Sequence, residues 1–277
     1  MAWSGGLPPL EMLEHGELRL YSRCHRPDPS RAEVAMGLAK TTRPATRGGA
    51  MPRPQLFRVL DQARRQPATW VCSPPGAGKT TLVSSYVAVR KLRSLWYHVD
   101  EGDEDLASFF YYVREAAPAR GPSLPLLTPE YLPSLMVFAQ QFFRRLFSRL
   151  RPPFAFVLDN YQTVGSHAGL HKVLAAALEE VPAGGHVIIV SREMPPPALA
   201  RLLANQAIDV LGDEALRLTD REARRFVRRL RRRLASTALE RVVGTAKGWA
   251  AGLVLLSAHQ GGDGFPMTHH KASAQPP

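Results

Sequence analysis

Cysteine is nearly missing from this chain. Its 277 residues hold two, Cys24 and Cys72, too far apart in sequence for a disulfide framework or a metal-ligand spacing. That scarcity fits a reduced intracellular compartment and excludes a disulfide-stapled secreted domain. Long apolar runs are missing too. The longest, Trp249 to Ala258, falls well short of the roughly 20 residues that a membrane span needs. The N-terminus has no basic stretch followed by an apolar one, so no secretory signal is read there. No internal repeat is found, which excludes a solenoid. Together these absences predict a soluble, cytoplasmic protein with no membrane partner. Acidic residues are in short supply as well, 24 against 36 Lys and Arg, for a net charge of +12. The excess is mostly arginine. It favours anionic partners such as nucleotide, nucleic acid or acidic lipid, and does not choose among them.

The most informative stretch runs from Trp70 to Thr81, with the sequence Trp-Val-Cys-Ser-Pro-Pro-Gly-Ala-Gly-Lys-Thr-Thr. An apolar strand end is followed by a Gly/Pro turn, and Lys-Thr then opens an amphipathic helix. This is the context of a phosphate loop, in which small residues let several N–H groups converge on one anion. The helix start adds the positive end of its dipole. The loop residues Ser73, Pro74, Pro75, Gly76, Ala77, Gly78, Lys79, Thr80 and Thr81 are therefore candidate nucleotide-binding residues. Lys79 is expected on the β- and γ-phosphates, and the Thr80 hydroxyl on Mg²⁺. The pattern G-x-x-x-x-G-K-[ST] calls for Gly where this chain has Ser73, a residue small enough to keep the turn.

Before the loop, residues 1 to 50 are rich in Gly, Pro, Arg and Thr and read as a mostly disordered extension. Met36 is an alternative start, because the globular pattern begins only after Met51. Residues 51 to 218 then alternate helical and extended patterns. Helices are predicted from Gln55 to Arg65, from Lys79 to Arg90, around Leu106 to Val113, from Leu135 to Leu150, and around Leu170 to Leu178. Arg144, Arg145 and Arg149 are read as lying off the apolar stripe of the fourth. Strands are predicted at Thr69 to Cys72, Leu95 to Val99, Phe154 to Leu158, His186 to Ser191 and Ile208 to Leu211. Pro118 to Pro133 reads as an irregular connection, and Leu216 to Leu218 as a short extended piece. The alternation predicts an α/β fold, a phosphate-loop NTPase with a mostly parallel sheet flanked by helices. In such sheets ligands gather at the carboxyl ends of the strands. Residues 219 to 259 follow as a small helical module, opened by a Thr219/Glu222 capping box and a helix carrying Ala223, Val227, Leu230 and Leu234. Residues 260 to 277 read as a disordered tail.

Phe154 to Leu158 ends in Asp159, the acid expected to hold a water on Mg²⁺ opposite Thr80. Asn160 stands next to it. Hydrolysing members of this class often carry a second acid there, and an amide orients water but does not take its proton. Two readings stay open. Either hydrolysis is slow, so that Asn160→Asp raises turnover, or a base comes from Asp100, Glu101, Asp103 or Asp105. Arg192, after the strand His186 to Ser191, is the candidate sensor of the γ-phosphate. Lys79, Asp159, Asn160 and Arg192 thus form the candidate catalytic set, with Thr80 and Asp159 as metal ligands. The arginines from Arg224 to Arg233 read as a solvated helix face. Cys72, Trp96 and Trp249 read as core residues. His98, His167 and His171 have no metal-like partners.

Beyond single motifs, an ordered series resembles one family. Arg53-Pro54-Gln55-Leu56, the phosphate loop, Leu95-Trp96-Tyr97, the run ending Asp159-Asn160-Tyr161-Gln162, Ser191-Arg192, Leu216-Arg217-Leu218-Thr219 and Gly248-Trp249-Ala250-Ala251-Gly252-Leu253 occur in order. They look like the ATPase domain of MalT-like, large LuxR-type transcriptional regulators, over about residues 40 to 259. The resemblance implies ATP/ADP and Mg²⁺ as cofactors, Arg53 and Pro54 near the adenine, and self-association on ATP binding. The helical-repeat sensor and helix-turn-helix reader of that family have no counterpart in this sequence, so DNA contact would come only through domains missing from it. The reading is an ATP-binding, weakly hydrolysing switch module of a bacterial regulator. A small-molecule or nucleotide kinase and a nucleic-acid-dependent ATPase are the rivals.

Overall fold

A computed structural model describes residues 40–45, 51–165 and 168–259. The alternative start at Met36, Cys24, His167, the tail after residue 259 and most of the N-terminal extension lie outside the described residues. Two faces of one sheet organise the chain. Strands β1 (Ala68–Cys72), β2 (Arg93–His98), β3 (Phe154–Asp159), β4 (Gly185–Ser191) and β5 (Ile208–Leu211) form a five-stranded sheet in the order β2-β3-β4-β1-β5, with every pair parallel. β1, β3 and β4 are buried along their whole length, as their unbroken apolar runs require.

Alternate residues of each strand feed opposite cores. Phe154, Phe156 and Leu158 of β3 join Trp70 and Tyr97 under helices α3 (Leu106–Ala116), α4 (Leu135–Leu150) and α5 (Ala168–Glu179). Ala155 and Val157 face the other way. They meet Val71, Trp96, Ile188 and Val190 under α1 (Pro54–Ala63) and α2 (Lys79–Val89). The first face is dominated by phenylalanine. Phe142 packs edge-on against Phe110 at 4.8 Å and against Phe143 at 5.4 Å.

Two short helices flank β5, α6 (Ala200–Ala204) before it and α7 (Asp213–Leu216) after it. Then α8 (Asp220–Leu230), α9 (Ser236–Ala246) and α10 (Ala250–His259) enclose a separate small core of Leu218, Val227, Leu239, Val242 and Leu253. The Thr219/Glu222 capping box opens α8, with both reciprocal hydrogen bonds formed. Arg221, Arg225, Arg228 and Arg232 are exposed, so the arginine face is solvated.

Several local readings are corrected. Leu216 ends a one-turn helix rather than starting an extended piece, while the Leu218 N–H donates to Gly248 O at 2.9 Å. Helix α8 stops at Leu230, short of Leu234. The proline-rich connection contains a 3₁₀ stretch, Pro129–Ser134. Arg149 is buried, because its guanidinium donates to Pro122 O at 2.7 Å and Pro118 O at 3.1 Å and ties that connection down. Part of the N-terminal extension is also built into the fold. Lys40 is buried against Asp100 at 2.8 Å and Asp103 at 2.9 Å, and Pro44 O accepts from Ser84 at 2.7 Å.

Candidate functional site at the sheet edge

The loop between β1 and α2 curls over the carboxyl edge of the sheet. Gly76 (φ +78°) and Gly78 (φ +86°) take left-handed conformations that only glycine adopts readily. Ser73 keeps an ordinary φ and is buried, so nothing at this position demands glycine. Lys79 folds back under the loop and donates to the Ser73 and Pro74 carbonyls, the latter at 3.1 Å. Burial lowers its pKa, and the nearby Arg192 charge lowers it further. The first N–H groups of α2 have no acceptor within the helix, so they add to the positive potential of the loop.

Strand order decides what faces this loop. β4 lies between β1 and β3, which sets the end of β3 across from α2. The Thr80 hydroxyl donates to Asp159 Oδ1 at 3.0 Å. Asp159 is buried, and that burial raises its pKa. Thr80, His98 and Lys79 act in the opposite direction. A cavity of about 270 Å³ opens here, lined by Pro75, Gly76, Gly78, Lys79, Thr80, Thr81, Asp159, Asn160, Gln162 and Arg192, with Val190. The structure therefore brings the four candidate catalytic residues to one cleft. A buried carboxylate beside a hydroxyl is an oxygen donor pair suited to a hard divalent cation. Among the described residues no cluster of three His, Cys, Asp or Glu side chains is placed to hold a metal by itself.

The acidic turn after β2 does not join this cleft. Asp103 is buried and accepts from Lys40 and from the Tyr97 hydroxyl at 2.6 Å. Asp100 caps the turn, and Asp105 caps α3 through Ala107 and Ser108. Asp100, Asp103 and Asp105 are engaged within the turn, and neither they nor Glu101 line the cleft. Asn160 sits at φ +66° with its amide N–H donating to Val99 O at 3.2 Å. An acid at 160 would set a carboxylate oxygen against that carbonyl.

A second cavity, about 120 Å³, lies behind the loop between α1, α2 and the helical module. Met51, Arg53, Phe57, Ala77, Thr81, Leu218 and Phe226 are among its walls. Arg53 reaches it, but its guanidinium is engaged elsewhere. It pairs with Glu222 at 3.1 Å and donates to the Leu216 and Arg217 carbonyls. Pro54 opens α1 at the exposed surface and lines neither cavity.

Sequence reasoning missed the residues that join the module to the loop. Trp249 is not core. It is 43% exposed, and its indole N–H donates to Pro75 O at 3.1 Å. The Ala251 N–H donates to Gly76 O at 3.0 Å, and a Cβ on Gly76 would lie 2.6 Å from the Ala251 Cβ. The signal was available: a run of small residues around Trp249 marks a place where two backbones approach closely.

Comparisons with known proteins agree with this architecture. The Walker-type ATPase PABY2304 of Pyrococcus abyssi superposes with a TM-score of 0.55 at 16% identity, over 78% of this chain and 69% of that one. The chain has the phosphate-loop NTPase fold. A signal-transduction ATPase with a tetratricopeptide-repeat sensor from Pyrococcus horikoshii is also similar, with a TM-score of 0.48 at 13% identity, over 79% of this chain and 31% of that one. In sequence, the HTH-type transcriptional regulator MalT of Cronobacter sakazakii is 29% identical over 231 residues, 80% of this chain. The chain spans about a quarter of the length of that relative, 25%. No protein-family model matches the chain. Among the described residues no helix is long and apolar enough to cross a membrane.

Proposed function

We propose that the chain is the ATP-binding, slowly hydrolysing switch module of a cytoplasmic regulator related to MalT. One observation carries the reading: Lys79, Thr80, Asp159 and Arg192 come from three different strand ends and converge on one cleft. In this proposal Lys79 and the loop from Ser73 to Thr81 hold the phosphates. Thr80 and Asp159 would hold Mg²⁺, which would neutralise phosphate charge. Arg192 meets the γ-phosphate. The purine occupies the smaller cavity between Phe57, Leu218 and Phe226, with Arg53 bracing its wall and Pro54 fixing the start of α1. A phosphate in the cleft gives the Lys79 ammonium a counter-charge for its burial.

Slow turnover follows from Asn160. Among the described residues no carboxylate apart from Asp159 lines the cleft, and an amide leaves the attacking water's proton in place. Self-association on ATP binding belongs to the same proposal, as does DNA contact through domains outside the matched stretch. The test is to identify the nucleotide that copurifies with the protein and to measure turnover with and without DNA. Lys79→Ala is expected to weaken ATP binding by about 100-fold or more, since it removes a charged phosphate contact and leaves the loop carbonyls unpaired. Unchanged ATP affinity would refute the site, and strong stimulation by DNA would favour a nucleic-acid-dependent ATPase.

A further inference from the structure

We propose that Gln162 is a positioning residue for Arg192, the last link of an amide relay that crosses three strand ends and fixes the γ-phosphate sensor. The inference rests on reading the cleft as a triphosphate site.

The relay starts after β2. Val99 O accepts from the Asn160 side-chain N–H at 3.2 Å. Asn160 Oδ1 in turn accepts from Gln162 Nε2. Gln162 Oε1 accepts from the Arg192 backbone N–H at 3.1 Å. Arg192 lies just past the last ladder pair of β4, Cys72 with Ser191, so Gln162 supplies the acceptor that the sheet no longer offers. Every bond points the same way, from Arg192 towards Val99. Each middle link must accept on one side and donate on the other. Only an amide does both in this geometry, and a carboxylate cannot donate. Asn at 160 and Gln at 162 are therefore complementary choices.

One further feature says that these bonds, rather than packing, hold Gln162. Its side chain is a thin wall between the phosphate cleft and a cavity of about 660 Å³ beside Trp70, Tyr161 and Met194. Asn160, by contrast, is held from its own backbone. It sits at φ +66°, and its carbonyl accepts from Thr163 N at 3.1 Å and Thr163 Oγ1 at 2.9 Å. One end of the relay is thus anchored and the other carries the sensor.

The test compares Mg·ATP and Mg·ADP affinities for the wild type, Gln162→Ala, Gln162→Met, Arg192→Ala and the double variants. Met keeps the volume of Gln and loses both hydrogen bonds, so it decides the matter if the alanine variant fails to fold. Losing Gln162 is expected to weaken ATP about three- to tenfold, the worth of one or two hydrogen bonds. ADP should change by less than about twofold, and the effect on ATP should vanish once Arg192 is Ala. Equal losses for ATP and ADP, or losses that add to those of Arg192→Ala, would overturn the relay alone. A wild type that binds no triphosphate would overturn the relay together with the proposed site.

Discussion

The sheet body and the helical module meet at the phosphate loop, and they hold together by different means. The body buries apolar side chains on both faces of its sheet, from Phe142 and Phe156 on one side to Leu60 and Val157 on the other. That stabilisation is non-directional and spread over many residues. The module has a much smaller core around Val227, Val242 and Leu253. Directional bonds fix its place on the body: Arg53 to Glu222, Trp249 to Pro75 O, and Ala251 to Gly76 O. Two of those acceptors belong to the phosphate loop itself. A body held by burial is indifferent to what the loop carries, whereas a module hung on loop carbonyls is sensitive to it.

The largest test of this contrast strikes the body. Phe142→Ala opens a cavity in the phenylalanine cluster of the core and is expected to cost about 3–5 kcal/mol. Unfolding should then take body and module together, read by chemical denaturation. Acid probes the same region more gently. His186 is buried between Thr69 Oγ1 and Gln66 O, both at 2.9 Å, and burial pushes its pKa down to about 4. The unfolded chain takes up this proton near 6.5, the folded chain only near 4. Stability is therefore complete above about pH 6.5 and falls as the pH drops towards 4, by up to about 3 kcal/mol. Denaturation midpoints measured at pH 7 and at pH 4.5 check this, and His186→Gln should flatten the difference. Arg53→Met probes the join. It removes the ion pair to Glu222 and the donor to the Leu216 and Arg217 carbonyls, and is expected to loosen the module by about 2 kcal/mol. Amide exchange should quicken in α8 to α10 and stay unchanged in β1, β3 and β4. Faster exchange throughout would erase the distinction between the two regions.

How far the sequence could be read follows the same division. The strands and the phosphate loop were legible because their signals are local: apolar runs buried on both faces, a Gly-x-Gly turn, and Lys-Thr at a helix start. The parallel sheet followed from the alternation. What stayed hidden depends on contacts distant in sequence. The strand order is one such feature, and it alone explains why Asp159 faces Thr80 with β4 between their strands. Lys40 is another, because its burial depends on two aspartates some sixty residues later. Asp103 looked like a candidate base for the same reason, since no local pattern shows that its carboxylate is already held by Lys40 and Tyr97. Arg149 looked like surface because its partners are carbonyls, which sequence patterns do not announce.

The smallest expected effect gives the sharpest test of the join. Trp249→Phe keeps an aromatic ring beside the loop and removes the indole N–H that meets Pro75 O, together with part of the ring's contact area. That carbonyl lies on an exposed loop residue, so water replaces the lost donor and the cost should stay within about 1 kcal/mol. Global stability should hardly move. If the module reads the loop, nucleotide release should nonetheless quicken, because one of two bonds to the loop has gone while the Ala251–Gly76 bond remains. Stopped-flow release of a fluorescent ADP analogue measures this directly. Release at the wild-type rate would mean that the backbone bond at Gly76 carries the join alone. The tool for reaching that bond is Gly76→Ala, whose added Cβ would press on Ala251.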